Sequence, residues 1–117
     1  MPGTRQPGVN ASLSEVLDQM WIRFLPDIRD RISVLDSAAT AAAANRITAE
    51  QREAAHSAAH KLAGVLGTFG LAEGTGLARK FEMYFSPGAA PDPEFGKRLA
   101  GAVAELRTMI ENRRPGN

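Results

Sequence analysis

The sequence predicts an all-α protein, an antiparallel four-helix bundle with a short additional N-terminal helix. Apolar residues recur at helical spacing in successive segments, and no segment shows a sustained alternation of apolar and polar residues. The segments are joined by short connections, which favour antiparallel neighbours in a bundle. These three observations predict helices packed side by side around one core.

The first two helices are predicted on either side of Pro26. Ser12 and Glu15 have the spacing of a capping box, so the short N-terminal helix is expected to begin there. Pro26 lacks a backbone N–H and suits the first turn of a helix, which predicts a break and a second start. The second helix is expected to continue through the alanine-rich residues 38–44 and to stop at Asn45.

The next two helices are predicted on either side of Gly70. Thr48 and Gln51 make a second capping box, and the helix that they open is expected to end near Phe69, with Gly70 just beyond the cap. A further helix is predicted over residues 72–85. Its inward-facing residues are expected to be Leu77, Ala78, Phe81, Tyr84 and Phe85.

The last helix follows a loop. Residues 86–92 contain two prolines and a glycine, which are typical of a loop. Asp92 is expected to cap a final helix that has Pro93 in its first position. The apolar stripe of this helix is predicted to contain Phe95, Leu99, Ala102, Val103, Leu106 and Ile110.

Composition limits the class of protein. The 117 residues suit a single domain, predicted over residues 12–113 between a flexible tail at 1–11 and a C-terminal tail at 114–117. A formal net charge of +1 gives no reason to expect nucleic-acid binding, and the absence of cysteine excludes disulfide and thiolate chemistry. No apolar run approaches the roughly 20 residues of a membrane span, and the N-terminus lacks the apolar centre of a signal peptide. We therefore expect a cytoplasmic protein.

The helix that contains His60 carries the strongest functional signal. With about 100° per residue, Leu62 and Leu66 fall on a core stripe opposite His60, together with neighbouring apolar residues. Gly64 and Gly67 lie within about 40° of His60 on the water-facing side. Each glycine costs about 1 kcal/mol relative to alanine in a helix interior. Two such costs on one face indicate that a partner approaches the backbone beside this imidazole.

This pattern resembles the histidine-phosphotransfer (Hpt) domain family of two-component phosphorelays. The family has a histidine followed by a hydrophobic residue at +2, often a lysine at +3, and glycine at +4. The matches to His60 are Leu62 at +2, Gly64 at +4, Gly67 at +7 and Gly70 at +10. Ala63 occupies the +3 position instead of lysine, and Lys61 at +1 is a candidate to supply the charge. Arg79 and Lys80 of the next helix could also contribute positive charge, although ordinary surface roles are favoured for both.

The resemblance implies that His60 accepts a phosphoryl group from one receiver aspartate and donates it to another. Lys61, Gly64, Gly67 and His56 are then expected to contact the phosphate or the partner. The partners implied are response-regulator receiver domains or a hybrid sensor histidine kinase. The domain needs no cofactor of its own, because the receiver brings its Mg²⁺. The chain shows no Walker-type nucleotide loop, so a monomeric phosphocarrier without kinase activity is expected.

Three alternatives stay open at this point, and the last of them is a structural fragment of a larger sensor kinase. Without the lysine at +3, the bundle could bind a receiver without carrying phosphate. His56 and His60 are four residues apart on one helix face, which is half of a zinc site, so a metal-binding bundle is a second alternative. Only two histidines are present, and a third ligand would have to be a carboxylate such as Glu53. We therefore predict no bound metal.

Overall fold

The computed structural model describes residues 5–88 and 90–113, with side chains described from residue 13 onward. Residues 1–4, 89 and 114–117, which include the whole of the predicted C-terminal tail, lie outside the described residues. The helices are α1 (Arg5–Ala43), α2 (Ala49–Thr68), α3 (Ala72–Tyr84), α4 (Pro93–Gly96) and α5 (Leu99–Asn112). The described part of the chain has no strand, which confirms the all-α class.

Helix α1 is continuous through Pro26, so the predicted break is wrong. Pro26 is exposed, and the carbonyl that loses its helical partner there can bind water instead. Trp21 and Ile28 are two turns apart, on either side of the proline, and both are fully buried. The burial of both side chains in the core outweighs the roughly 3 kcal/mol that an interior proline costs a helix.

The start of α1 also differs from the prediction. The helix begins at Arg5, so the predicted N-cap at Ser12 is wrong, and the short N-terminal helix is the first part of α1 rather than a separate element. Pro7 falls in the first turn, where its missing N–H would have had no helical partner. Asn45 ends α1 as predicted, with a φ of 57°. The 39 residues of α1 give a molecule that extends 64 × 22 × 22 Å.

Helices α2 and α3 form an antiparallel hairpin whose ends match the prediction. The Gln51 N–H donates to Thr48 Oγ1 and the Thr48 N–H donates to Gln51 Oε1, which completes the capping box. At the other end Gly70 has a φ of +75°, and the Leu71 N–H donates to the Leu66 carbonyl. This left-handed turn is the common way in which a glycine ends a helix.

The core runs along the inward faces of α1, α2, α3 and α5. The predicted stripe of α2 is confirmed, because Ala55, Ala59, Leu62, Leu66 and Phe69 are all buried. Alanines on this stripe let α1 and α3 approach α2 closely. Trp21 meets Phe69 edge to face, with ring centroids 5.2 Å apart, at the end of α2.

The predicted last helix is divided into two. Asp92 caps α4 and Pro93 is in its first turn, as predicted, but the helix stops at Gly96 and α5 starts at Leu99. A Cβ on Gly96 would come within 2.9 Å of the Tyr84 hydroxyl. The chain therefore passes close to Tyr84 and turns, and a weak helix former occupies the point of contact. The predicted apolar stripe remains buried on both sides of the turn.

Candidate functional site

His60 lies in the middle of α2 with its imidazole at the surface. Its side chain is 69% exposed, whereas Ala59 and Leu62 beside it are fully buried. The helical phase read from the sequence is therefore confirmed. An exposed imidazole on a rigid helix is accessible to another protein without any opening of the bundle.

One carboxylate on α3 orients this imidazole. Nδ1 of His60 lies 2.8 Å from Oε2 of Glu82. The backbone carbonyl of the same residue lies 2.9 Å from Nδ1 of His56, one turn earlier on α2. Glu82 thus binds both histidines of the chain, and only 20% of its side chain is exposed. Arg79 Nη1 lies 3.8 Å from the other carboxylate oxygen, Oε1.

This geometry selects the reactive nitrogen of His60. An ionised carboxylate only accepts hydrogen bonds, so Nδ1 of His60 carries the proton and donates it to Glu82. In the neutral ring the lone pair then lies on Nε2. Nδ1 makes the one hydrogen bond that His60 has within the described residues, so Nε2 is the nitrogen that a partner can reach.

A groove between α1 and α2 opens beside His60. Its volume is about 570 Å³. Its floor is apolar and its rim is charged, and it is lined by Met20, Phe24, Asp27, Arg31, Lys61, Gly64, Val65, Thr68 and Phe69. Two aromatic residues precede Pro26 on α1. Trp21 belongs to the core, and Phe24 is half-buried in the groove.

The predicted site residues divide between the two flanks of α2. Lys61 and Gly64 face the α1 side and line the groove. Gly67 faces α3, where an added Cβ would lie 3.5 Å from Thr75 Oγ1, an ordinary contact. An added Cβ on Gly64 would meet no heavy atom within 4 Å. His56 is half-buried between α2 and α3 rather than free on the surface.

Sequence reasoning missed Glu82, although a signal for it exists. The turn at Gly70 joins α2 and α3 as a hairpin, so residues at similar distances from Gly70 lie at the same level. His60 precedes Gly70 by ten residues and Glu82 follows it by twelve. An acidic residue opposite the histidine could have been found in this way. The prediction for α3 considered its inward apolar face and the cations Arg79 and Lys80, and it did not consider the acidic residue.

Within residues 13–88 and 90–113, no three histidine, aspartate or glutamate side chains converge in an arrangement that would hold a metal ion. None of the described helices combines the length and the apolar character needed to cross a membrane.

Fold and site together define an α-helical module that presents one oriented histidine beside a partly apolar groove. A family model for the Hpt domain matches residues 19–114, and the chain therefore belongs to the Hpt domain family. Hpt domains perform histidine phosphotransfer in two-component phosphorelays. The predictions of the family, of an all-α helical bundle and of the phosphotransfer function are confirmed.

One curated relative is Protein RcaC of Microchaete diplosiphon. The two chains are 29% identical over 96 residues, which are 82% of this chain and 15% of the relative. The chain thus spans a small part of that relative's length. No solved structure is significantly similar to the chain.

Proposed function

We propose that His60 is the phosphoacceptor of this Hpt domain and that Nε2 is the atom that carries the phosphoryl group. The observation that supports this most directly is the contact between His60 Nδ1 and Glu82. It fixes the ring and leaves the lone pair of Nε2 toward solvent. A neutral imidazole is an effective nucleophile near pH 7.

The reaction is a phosphoryl exchange between two proteins. The Nε2 lone pair attacks the phosphorus of an aspartyl phosphate on a receiver domain. The N–P bond forms as the P–O bond to the aspartate breaks, and the aspartate leaves as a carboxylate. The proton on Nδ1 stays in place, where the Glu82 carboxylate stabilises the positive charge that develops on the ring. The reverse sequence returns the phosphoryl group to another receiver.

The receiver is the source of the metal in this scheme. Its Mg²⁺ neutralises charge on the phosphoryl group, and this chain supplies the nucleophile and the docking surface. The α1–α2 groove is the docking surface that we infer, because its apolar floor and charged rim lie next to His60. Gly64 has no side chain, so the receiver can approach the helix backbone at this point.

The module acts as a carrier without kinase activity of its own, as a monomer. One exposed histidine on one protomer is sufficient for the exchange. We assign the reaction to the cytoplasm, the compartment whose ATP supplies the phosphoryl groups of such relays. The partners in this assignment are receiver domains and hybrid sensor kinases.

The test is transfer from a receiver domain phosphorylated with acetyl phosphate. The wild-type chain should take up phosphate in an acid-labile, alkali-stable form, with phosphorus on Nε2. His60→Gln should take up none while remaining folded. His56→Gln is the matched control, and it should retain most of the uptake because Nδ1 of His56 is held by the backbone carbonyl of Glu82. Equal labelling of the His60→Gln protein would refute the assignment.

A further inference from the structure

The phosphorylated site has to accommodate a charge for which this sequence lacks the usual partner. A phosphoryl group brings about −1.5 to −2 charges at neutral pH. The +3 position that often holds lysine in the family is Ala63, which is only 2% exposed and lies against α3. The Thr75 hydroxyl donates to the backbone carbonyl of Ala63 at 3.3 Å. A cation for the phosphoryl group therefore has to come from another position.

Two candidates lie on opposite flanks of His60. Lys61 lies on the α1 side and lines the groove together with Asp27 and Arg31. Arg79 lies on the α3 side, where its guanidinium contacts the carboxylate that binds His60. One carboxylate thus bridges the imidazole and a guanidinium, whereas Lys61 lines the groove on the other flank.

We propose that Arg79 is the residue that pairs with the phosphoryl group on His60, and that it leaves Glu82 to do so. This proposal rests on the function proposed above. The Arg79–Glu82 contact is long, at 3.8 Å, and the Arg79 side chain is 61% exposed, so breaking the contact costs little. A phosphoryl group offers the guanidinium more charge and a bidentate geometry.

The exchange of partners leaves the rest of the site intact. Glu82 keeps its hydrogen bond with Nδ1 of His60 through Oε2, while Arg79 departs from Oε1. In the phosphorylated imidazole, the Glu82 carboxylate then binds Nδ1. The Arg79 guanidinium binds the phosphoryl group on Nε2. Arg79 is a positioning and charge-pairing residue of the carrier in this scheme.

The experiment follows the ³¹P resonance of the phosphohistidine through a pH titration. The wild-type chain and its variants are loaded with phosphoramidate, and the His60 signal is the resonance that the His60→Gln protein lacks. Loss of a partly exposed ion pair is worth about 0.2–1 kcal/mol, which corresponds to about half a pH unit. Arg79→Gln should raise the titration midpoint of the phosphoryl group by that amount. Arg79→Lys should restore most of the difference.

Lys80 provides the matched control, because it is the neighbouring exposed cation and lines a different cavity with Tyr84 and Phe95. Lys80→Gln should leave the midpoint at the wild-type value, because an exposed charge that does not contact the phosphoryl group is screened by salt. Equal shifts for Arg79→Gln and Lys80→Gln would overturn the proposal.

A second background separates a direct effect of Arg79 from one transmitted through Glu82. In the Glu82→Gln protein the ion pair with Arg79 is absent. Arg79→Gln should still raise the phosphoryl midpoint there, and a vanished effect would refute direct pairing. If no His60 resonance forms in the wild-type chain, the proposed function itself fails. A normal resonance without an Arg79 effect refutes only the role of Arg79.

Discussion

Substitution of Gly64 should increase stability and impair transfer. Gly64 lies in the interior of α2, is exposed, and has space for a Cβ with no heavy atom within 4 Å. Glycine in a helix interior is about 1 kcal/mol less favourable than alanine, so Gly64→Ala should raise the free energy of unfolding by about that amount. For a domain of this size the melting temperature should rise by about 4 °C.

A large side chain at position 64 should slow the exchange reaction. A leucine at position 64 would project into the docking groove next to His60. A misplacement of about 1 Å can cost on the order of 100-fold in rate, so Gly64→Leu should slow transfer from a phosphorylated receiver by about that factor. The assay is single-turnover transfer from a radiolabelled receiver, quenched at short times.

Gly101 is the matched control for both measurements. It is an exposed glycine of α5, and an added Cβ there would also meet no heavy atom within 4 Å. Gly101→Leu should leave transfer unchanged. Transfer by Gly64→Leu at the rate of Gly101→Leu, in a folded protein, would show that the receiver does not approach this part of α2.

Three further outcomes are expected. The Arg113 guanidinium lies 5.0 Å from the Trp21 ring centroid and its side chain is only 15% exposed, so Arg113→Ala should lower the free energy of unfolding by about 1–3 kcal/mol. Urea titration measures this, and an unchanged midpoint would contradict it. Thr48→Ala removes one capping hydrogen bond and should cost about 1 kcal/mol in thermal melting, whereas no loss would mean that the cap contributes nothing. Stoichiometric zinc should not raise the melting temperature, and a rise that disappears in both His56→Gln and His60→Gln would favour the metal-binding alternative.

Local signals predicted most helix ends, but they did not predict how α1 would respond to Pro26. Thr48, Asn45 and Gly70 act through their own backbone neighbours, and all three end or begin helices as the sequence indicated. The continuity of α1 depends instead on the burial of Trp21 against Phe69, a contact between residues distant in sequence. Local propensity could not weigh this packing against the effect of the proline.

The division of the last helix has a similar origin. The stripe from Phe95 to Ile110 keeps helical spacing, so periodicity alone predicts one helix. The turn after Gly96 follows from the approach of Tyr84, which belongs to another helix. A glycine inside a regular stripe was the local sign that a neighbour comes close to the backbone.

The candidate site was predicted on α2, whereas Glu82 on α3 was missed and Arg79 was favoured as an ordinary surface residue. Helical phase placed His60 and Gly64 on the exposed face because both belong to one helix. Glu82 and Arg79 belong to α3, and their approach to the imidazole depends on the register of the hairpin. The chemistry of His60 therefore involves contacts that no motif on α2 contains.

We also expect substitutions on the two flanks of α2 to have different kinetic effects. The α3 flank holds Glu82 and Arg79, which contact or neighbour the reacting ring, and the α1 flank holds the groove. Removal of a group that stabilises only the transition state or the phosphorylated ring lowers kcat, whereas removal of a group that only docks the partner raises KM.

We therefore expect Glu82→Ala to lower the maximal transfer rate at an unchanged KM for the receiver, because a free imidazole loses its fixed tautomer and its partner for positive charge. Phe24→Ala, in the groove, should raise KM with little change in the maximal rate. If both variants raised KM alike, Glu82 would belong to the docking surface, and the orientation of His60 would have no separate role in the chemistry.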